Sequence, residues 1–208
     1  MKKLNLSDKL ATHQYQFDGS HKNRNECALC SMAMLLGLAA RQSELSDFEL
    51  RSVDLGRFLD RIPFRYPRLP AWLPGPGGAT HPFAAYWGLK DYMRNTKAGN
   101  LRVGWKVFMK SRATTNDLEE SVTAGIPTLI YGVGETGIPH VVVVIGREDK
   151  KWQILDPGYS KEKNPRNWPD DQMNKWWVNY SFIYPRGIMI TLVPTAPGAT
   201  SPKPNGAN

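Results

Sequence analysis

Residues 25–40, NECALCSMAMLLGLAA, carry their larger apolar side chains at steps of three and four. This spacing is typical of a helix with a buried face. Alanine and glycine residues between the larger side chains keep the helix slim enough to pack closely against a neighbour. Asn25 is a suitable N-cap. The pattern therefore predicts a central helix that begins close to Cys27.

The rest of the chain predicts helices first and strands afterwards. Helical patterns cover 46–59, 83–93 and 116–125. Strand patterns cover 102–109, 128–133, 141–146 and 152–155, and a final element of the fold covers 182–193. The helix from Asn116 begins with capping-box spacing to Glu119, and the unbroken apolar run at 141–145 indicates a strand buried on both faces. This order of elements predicts an α+β fold.

The 208 residues are enough for one domain with a single core. Residues 1–24 are polar and lack sustained periodicity, so an extended segment is expected there. Residues 62–78 combine proline and glycine with large apolar side chains, which predicts an ordered loop against the domain. The domain is expected to span 1–193, and the Pro- and Gly-rich residues 194–208 are expected to form a flexible tail.

Basic residues outnumber acidic ones by 27 to 19, which gives a net charge of +8. Such an excess favours an anionic partner, for example an anionic cell wall. The basic residues are scattered, without a block of like charges or a nucleic-acid-binding motif, so nucleic acid is not an expected partner. No apolar run approaches the roughly 18 residues of a membrane-spanning helix, so no transmembrane segment is predicted.

The first residues, Met1-Lys2-Lys3, have the positive charge of a secretory signal. Polar residues between Asn5 and Lys9 interrupt any apolar segment behind them. Cytoplasmic synthesis without a signal peptide is therefore expected, and release to a cell wall would need a separate pore.

Cys27 lies at the expected start of the central helix. The free N–H groups and the positive dipole end of a helix stabilise a thiolate, which favours a nucleophile at this position. A nucleophile also needs a proton acceptor. Of the four histidines, His140 alone lies at the mouth of a predicted buried strand, where the fold would fix its ring. We therefore predict that His140 is the partner of Cys27.

The predicted hairpin that begins with His140 supplies a carboxylate. If its turn is centred on Glu148, His140 and Asp156 lie directly opposite one another, with Cβ atoms about 5 Å apart. A carboxylate at that distance holds one imidazole nitrogen and directs the other towards the sulfur. A register slip of one residue would break this contact. Pro157 ends the strand and leaves Asp156 at its end.

Attack of a thiolate on a carbonyl group produces an oxyanion, which needs hydrogen-bond donors. The backbone N–H of Cys27 is one expected donor. A side-chain amide upstream of the helix is a natural second donor, and both Gln14 and Gln16 are candidates. The residues alone leave this choice open.

Five short motifs follow one another along the chain: Gln16-Phe17-Asp18, Cys27 to Leu35, Gly125-Ile126-Pro127, His140 before a valine run, and Asp156-Pro157-Gly158. In order and spacing they resemble the papain-like cysteine peptidases of the bacteriocin-processing, or double-glycine, type. The resemblance spans about residues 14–158. This chain departs from the family pattern in two places. Ala28-Leu29 replaces the usual Gly-Pro after the nucleophile, and the gap between Gln16 and Cys27 is longer than in many relatives.

The resemblance implies a papain-like fold in which the central N-terminal helix packs on an antiparallel sheet. It implies that Cys27 is the nucleophile, His140 the general base and acid, Asp156 the orienting carboxylate and Gln16 the oxyanion donor. It implies neither a metal nor another cofactor. The implied activity is cysteine-dependent hydrolysis of peptide or amide bonds through a thioester intermediate.

Simpler interpretations stay open for these residues. A free cysteine is most often a small core residue. His140 could be a hydrogen-bonded structural histidine, and Asp156 before a proline could form an Asx turn. Cys27 and Cys30 together have the spacing of a redox or half-zinc motif, although the histidines are not paired at ligand spacing.

Other residues are expected to be structural. The histidines outside the motifs, His13, His21 and His81, are expected on the surface or in loops. The aromatic residues Trp176, Trp177, Tyr180, Phe182 and Tyr184 are expected in the core, with a sugar-binding groove as the alternative.

The sequence predicts the type of reaction but leaves more than one substrate class open. The basic surface and the expected lack of a leader favour a peptidoglycan-degrading enzyme of the endolysin type, drawn to anionic murein. The same features fit a peptidase that cuts protein substrates. The rival class is a non-catalytic binding module that keeps a peptidase-like fold.

Overall fold

The structure is a computed structural model, and it describes residues 2–17, 26–45, 48–60, 80–95, 104–133, 139–178 and 187–195. The helices of these ranges are α1 (Leu6–Leu10), α2 (Cys27–Gln42), α3 (Ser52–Asp60), α4 (Pro82–Asn95), α5 (Thr115–Thr123) and α6 (Asp170–Met173). The strands are β1 (Trp105–Lys110), β2 (Thr128–Val133), β3 (Pro139–Glu148), β4 (Lys151–Leu155), β5 (Arg166–Pro169) and β6 (Ile188–Pro194). A 3₁₀ turn covers Lys161–Lys163, and a π-helical turn covers Asn174–Val178.

The six strands of the described ranges form one antiparallel sheet in the order β1-β6-β2-β3-β4-β5. One face of the sheet packs against α2 and α4, and α3 packs against these two helices. The other face packs against α5 and a group of tryptophans from β4, β5 and the π-helical turn. Strand β3 lies between these layers, and its residues from Val141 to Val144 are buried. The prediction of a strand buried on both faces is confirmed.

Helix α2 is the central element of the first layer. Of its 16 residues, 14 are buried, because β3 covers one side of the helix and α3 and α4 cover others. The periodicity indicated one buried face, and the helix is buried almost all round, as is typical of a core helix. The hydroxyl of Ser31 donates to the carbonyl oxygen of Val141 (2.9 Å) and joins α2 to β3. The predicted fold class, an N-terminal central helix on an antiparallel sheet, is confirmed.

Two helices begin where sequence analysis did not place them. The segment predicted to be extended contains α1, which begins with a capping box between Asn5 and Asp8. Helix α5 is capped by Thr114 and Asp117, so its start precedes the predicted cap at Asn116. Both differences have the same cause: a short polar side chain that accepts from the third backbone N–H of a helix fixes its start. Strand β5 was not predicted.

Several predictions fall on residues outside the described ranges. These are the N-cap at Asn25, His21, the Pro- and Gly-rich loop at 62–78, and the aromatic residues Tyr180, Phe182 and Tyr184. The described part of the final predicted element is strand β6, beyond which the N–H of Thr195 donates to the carbonyl oxygen of Gly104 (2.6 Å). The domain limits, 1–193 with a tail at 194–208, stay a prediction. None of the described helices has both the length and the apolar character of a membrane-spanning segment.

The hairpin between β3 and β4 has a different turn from the predicted one. Its turn is formed by Asp149 and Lys150, which have φ angles of 49° and 59°. Two consecutive residues with positive φ are typical of a type I′ turn, whose twist matches the flanking strands. The turn is therefore not centred on Glu148, and the predicted register is wrong.

A β-bulge in β3 changes the pairing register again and keeps His140 and Asp156 on the same face of the sheet. The bulge lies at Ile145, and beyond it Val143 is paired with Leu155. When this register is continued, the residue opposite Asp156 lies two positions along β3 from His140. Residues two positions apart share a face of the strand, so His140 and Asp156 are diagonal neighbours on the same face. The predicted contact survives although the predicted direct pairing is wrong.

Candidate active site

Cys27 is the first residue of α2, and Glu26, in the N-cap position, does not cap the helix through its side chain. Cys27 is 9% exposed, whereas Cys30, one turn further along, is completely buried. Neither cysteine forms a disulfide. Within the described ranges, no group of three or more His, Cys, Asp or Glu side chains is arranged to hold a metal ion. The exposure of Cys27 places it at the boundary between the core and the surface.

His140 is the second residue of β3 and lies opposite Gly132 of β2. Its Nε2 is 2.7 Å from Oδ1 of Asp156. The side chain of Cys27 is a second hydrogen-bond partner of the same ring. The structure therefore brings Cys27, His140 and Asp156 together, with the imidazole between the sulfur and the carboxylate.

The charges of these three side chains are coupled. Burial alone would lower the pKa of His140, but its hydrogen bonds to Asp156 and Cys27, and the negative charges of both partners, raise it to about 10. Asp156 is only 3% exposed, so its charge acts through a medium that screens it weakly. The imidazolium form of His140 is favoured at neutral pH. An imidazolium is the form that pairs with a thiolate.

The turn after β4 brings the carboxylate of Asp156 close to the ring. Oδ1 of Asp156 accepts a second hydrogen bond from the backbone N–H of Gly158 (2.9 Å). A Cβ atom at Gly158 would lie 3.1 Å from this oxygen and 3.6 Å from two atoms of the His140 ring. Glycine therefore allows the backbone to approach both groups closely.

The two candidate amides upstream of α2 have different surroundings. Nε2 of Gln14 donates to the carbonyl oxygen of Leu50 (2.5 Å), and its Oε1 accepts from the N–H of Ser52 (2.7 Å). Gln16 is 8% exposed, and its backbone N–H donates to the carbonyl oxygen of Pro157 (3.0 Å). The amide of Gln14 is thus bound to the start of α3, whereas Gln16 lies beside the turn after β4.

Trp176 forms one wall of the site. Its ring meets the His140 ring edge to face, with centroids 6.4 Å apart. It lies over Gly132, where a Cβ atom would collide with it, and its ring centroid is 5.0 Å from that of Trp168. Trp177 is a core residue at 1% exposure, as expected, but Trp176 shields the ring of His140.

Sequence analysis missed two residues near the site. His13 lies in a loop, as expected, but its contact with the end of β4 was not predicted. Its ring is partly buried, with Nε2 3.2 Å from the main-chain oxygen of Asp156. Asn164 is 7% exposed, and its Oδ1 accepts from the N–H of Asp156 (2.8 Å). No local motif identifies either residue, because both contacts depend on how distant segments pack.

Solved peptidase structures share this architecture. A protein described as a C39-like peptidase from Bacillus anthracis matches 93% of this chain and 98% of its own, with a TM-score of 0.58 and 17% sequence identity. The chain has a C39-like peptidase fold. C39-like peptidases are of the bacteriocin-processing type that the motifs resemble, so the predicted resemblance is confirmed at the level of the fold.

Two other structures match less well. The peptidase domain of Streptococcus ComA, described as a bi-functional ABC transporter in a quorum-sensing pathway, has a TM-score of 0.47 and 12% identity over 83% of this chain and 93% of its own. The peptidase domain of Streptococcus mutans ComA has a TM-score of 0.47 and 13% identity over 88% and 99%. No protein-family model and no curated protein matches the sequence. At these identities the C39-like likeness establishes the fold alone, and the roles of the four site residues stay predictions.

Proposed function

We propose that this chain is a cysteine peptidase in which Cys27 is the nucleophile and His140 is the general base and acid. The observation that supports this most directly is the hydrogen-bonded series of Cys27, His140 and Asp156 at the start of a buried helix. A structural histidine needs no thiol partner. An imidazole held between a thiol and a carboxylate is the arrangement of an activated nucleophile.

The reaction starts from the thiolate of Cys27 and the imidazolium of His140. The sulfur forms a bond to the carbonyl carbon of the substrate, and the π electrons of the carbonyl move to its oxygen. When this intermediate collapses, the C–N bond breaks and the imidazolium gives its proton to the leaving amine. Neutral His140 then takes a proton from water, which attacks the thioester, and the C–S bond breaks to release the acid and restore the thiolate.

Asp156 keeps the imidazole in one orientation during both halves of the reaction. Because Nε2 is held by Oδ1 at 2.7 Å, Nδ1 is the nitrogen left to exchange protons with the sulfur, the amine and water. The same carboxylate favours the charged ring, which is the proton donor for the leaving group.

The proposed oxyanion donors are the backbone N–H of Cys27 and the side-chain amide of Gln16. The first N–H groups of a helix lack intrahelical acceptors and are available to an oxyanion. Gln16 is buried beside the turn after β4, and Gln14 is bound elsewhere. Ala28 and Leu29 replace the family's Gly-Pro, and both are buried within α2, so this departure leaves the start of the helix intact.

The substrate is the finer part of the proposal. The net charge of +8 attracts anionic polymers. Murein is such a polymer, and its cross-links contain amide bonds of the kind that this mechanism cleaves. Murein is therefore the first substrate to test, with casein as the representative protein substrate.

Cys27→Ala tests the nucleophile, and Cys30→Ala is its matched control because Cys30 lies one turn further into the core. Murein and casein digests are analysed by mass spectrometry, and thiol labelling by iodoacetamide is followed at about pH 6. We expect cleavage and rapid labelling with the wild type and Cys30→Ala. Cys27→Ala should lose both, with a thermal melt close to that of the wild type.

Cleavage by Cys27→Ala, or an equal loss of cleavage in both variants, would contradict the mechanism. Rapid labelling of wild-type Cys27 without cleavage of either polymer would contradict only the choice of substrates.

A further inference from the structure

Asn164 holds the main chain of Asp156 on both sides of its Cα atom. Oδ1 of Asn164 accepts from the N–H of Asp156 at 2.8 Å, and Nδ2 donates to the carbonyl oxygen of Asp156 at 3.3 Å. The carbonyl oxygens of Tyr159 (3.2 Å) and Ser160 (2.9 Å) share the two hydrogens of the same Nδ2 with that of Asp156. One buried amide therefore joins the end of β4 to the turn that follows it.

His13 supports this amide from the N-terminal segment. Its Nε2 lies 3.1 Å from Nδ2 of Asn164 and 3.2 Å from the carbonyl oxygen of Asp156. Burial lowers the pKa of His13, and the hydrogen bond to the Asp156 main chain and the Asp156 charge offset this only in part. The neutral ring is favoured at neutral pH, and its tautomer decides whether Nε2 accepts from Asn164 or donates to Asp156.

The main-chain position of Asp156 determines where its carboxylate lies, because the side chain has only two rotatable bonds. Oδ1 must meet both Nε2 of His140 at 2.7 Å and the N–H of Gly158 at 2.9 Å. A catalytic constellation tolerates errors of about 0.5 Å at most. A displacement of the Asp156 backbone would therefore loosen the contact to His140.

We propose that Asn164, supported by His13, is a positioning residue of the site. It holds Asp156 where the carboxylate orients the His140 ring and stabilises its charged form. This inference rests on the proposed peptidase function, because it concerns the group that would serve Cys27 as base and acid.

A purely structural Asn164 would stabilise the turn without changing the proton affinity of His140 in the folded protein. The two roles are separated by NMR titration of the four histidines in ¹⁵N-labelled protein, which reads each ring directly and does not depend on turnover. Asn167→Ala is the matched control, because Asn167 is an exposed asparagine on β5.

In the wild type, His140 should titrate at about 10. In Asn164→Ala we expect its pKa to fall by about one unit, which is a tenfold loss of proton affinity. The alkaline limb of the kcat/KM profile should move by the same amount. His13→Gln should shift the pKa of His140 in the same direction by a smaller amount, and Asn167→Ala should leave it unchanged.

An unchanged His140 titration in folded Asn164→Ala would overturn the proposal. If that variant does not fold, His13→Gln decides in the same way: a lowered pKa of His140 supports the proposal, and an unchanged one overturns it. The proposed function has its own test, since cleavage by Cys27→Ala would refute it whatever the titration of His140 shows.

Discussion

The two ends of the proposed catalytic series are held by different kinds of interaction. Cys27 belongs to α2, which is fixed by apolar contacts of completely buried side chains such as Leu29 and Met32. Asp156 belongs to a turn in which its N–H donates to Asn164 and its carboxylate accepts from the N–H of Gly158. Apolar packing is non-directional, whereas a hydrogen bond weakens steeply when its angle changes.

This difference separates stability from orientation. Loss of an apolar side chain in α2 should lower the free energy of unfolding and leave the ring of His140 in place. Loss of a polar group in the turn should leave most of the buried apolar area intact and misplace the ring. The following substitutions test this division, beginning with the one expected to have the largest effect.

Asp156→Asn keeps the size of the side chain and removes its charge. We expect kcat/KM to fall by about a hundredfold or more, because the imidazole loses both its orientation and the stabilisation of its charged form. The pKa of His140 should fall from about 10. Steady-state kinetics and NMR titration measure the two effects. Asp171→Asn, at an exposed position of α6, should change neither, and full activity in Asp156→Asn would refute the assigned role.

Leu29→Ala removes a completely buried side chain of α2, two residues after Cys27. We expect the free energy of unfolding to fall by about 2–5 kcal/mol, from lost apolar transfer and the cavity left behind. The iodoacetamide labelling rate of the folded fraction should stay the same. Leu6→Ala, at a position 45% exposed, is the control and should cost far less in urea unfolding. A large loss of labelling in folded Leu29→Ala would show that packing also sets the site geometry.

The raised pKa of His140 predicts a loss of function and stability at alkaline pH. The stabilisation from its charged pairing is fully present below the ordinary value of 6.5 and is lost as the pH rises through about 10. Above that range a neutral ring cannot protonate the leaving amine. Profiles of kcat/KM and of the thermal melt against pH should therefore fall there. A decline centred near the ordinary histidine value would contradict the coupling to Asp156 and Cys27.

Lys9→Met should have the smallest effect. Nζ of Lys9 donates to the carbonyl oxygen of Ile145 (2.9 Å), the residue at the β-bulge. Methionine keeps the apolar part of the side chain, so the loss should be about 0.5–1.5 kcal/mol of unfolding free energy. Lys163→Met, at an exposed position, should be neutral in the same urea titration. Equal stability of Lys9→Met and the wild type would show that this contact does not stabilise the bulge.

The parts of the fold that depend on local patterns could be predicted from the sequence. The spacing of apolar residues identified α2, and strand β2 has the predicted limits at 128–133. The apolar run at 141–145 identified β3 as a buried strand. In each case the element is stabilised by burial of apolar side chains, and the spacing of those side chains is visible in the sequence.

The register of the β3–β4 hairpin could not be predicted in this way. Asp149 and Lys150 adopt positive φ without glycine or asparagine, so the turn lacks its usual signal. The bulge at Ile145 has no signal of its own within an apolar run. The unpredicted turn and the unpredicted bulge together keep His140 and Asp156 on one face of the sheet. A shift of one residue alone would have placed them on opposite faces.

The contacts of His13 and Asn164 with Asp156 could not be predicted from the sequence for a different reason. His13 and Asn164 are 151 positions apart in the chain, and their contact arises only when both segments pack against the turn after β4. Cys27, His140 and Asp156 could be proposed because their motifs follow one another in a recognisable order. Apart from His13, the amide of Asn164 binds main-chain atoms, which any residue type can supply, so no sequence motif accompanies it.

The contact between His13 and Asn164 also has a consequence for the order of assembly during translation. A nascent chain contains the segment with Cys27 long before Asn164 has been synthesised, and a domain generally folds as a unit. Until Asn164 has been synthesised, its hydrogen bonds to the main chain of Asp156 cannot form. In the proposed mechanism, the thiol would therefore stay without an oriented base until the segment with Asn164 has docked.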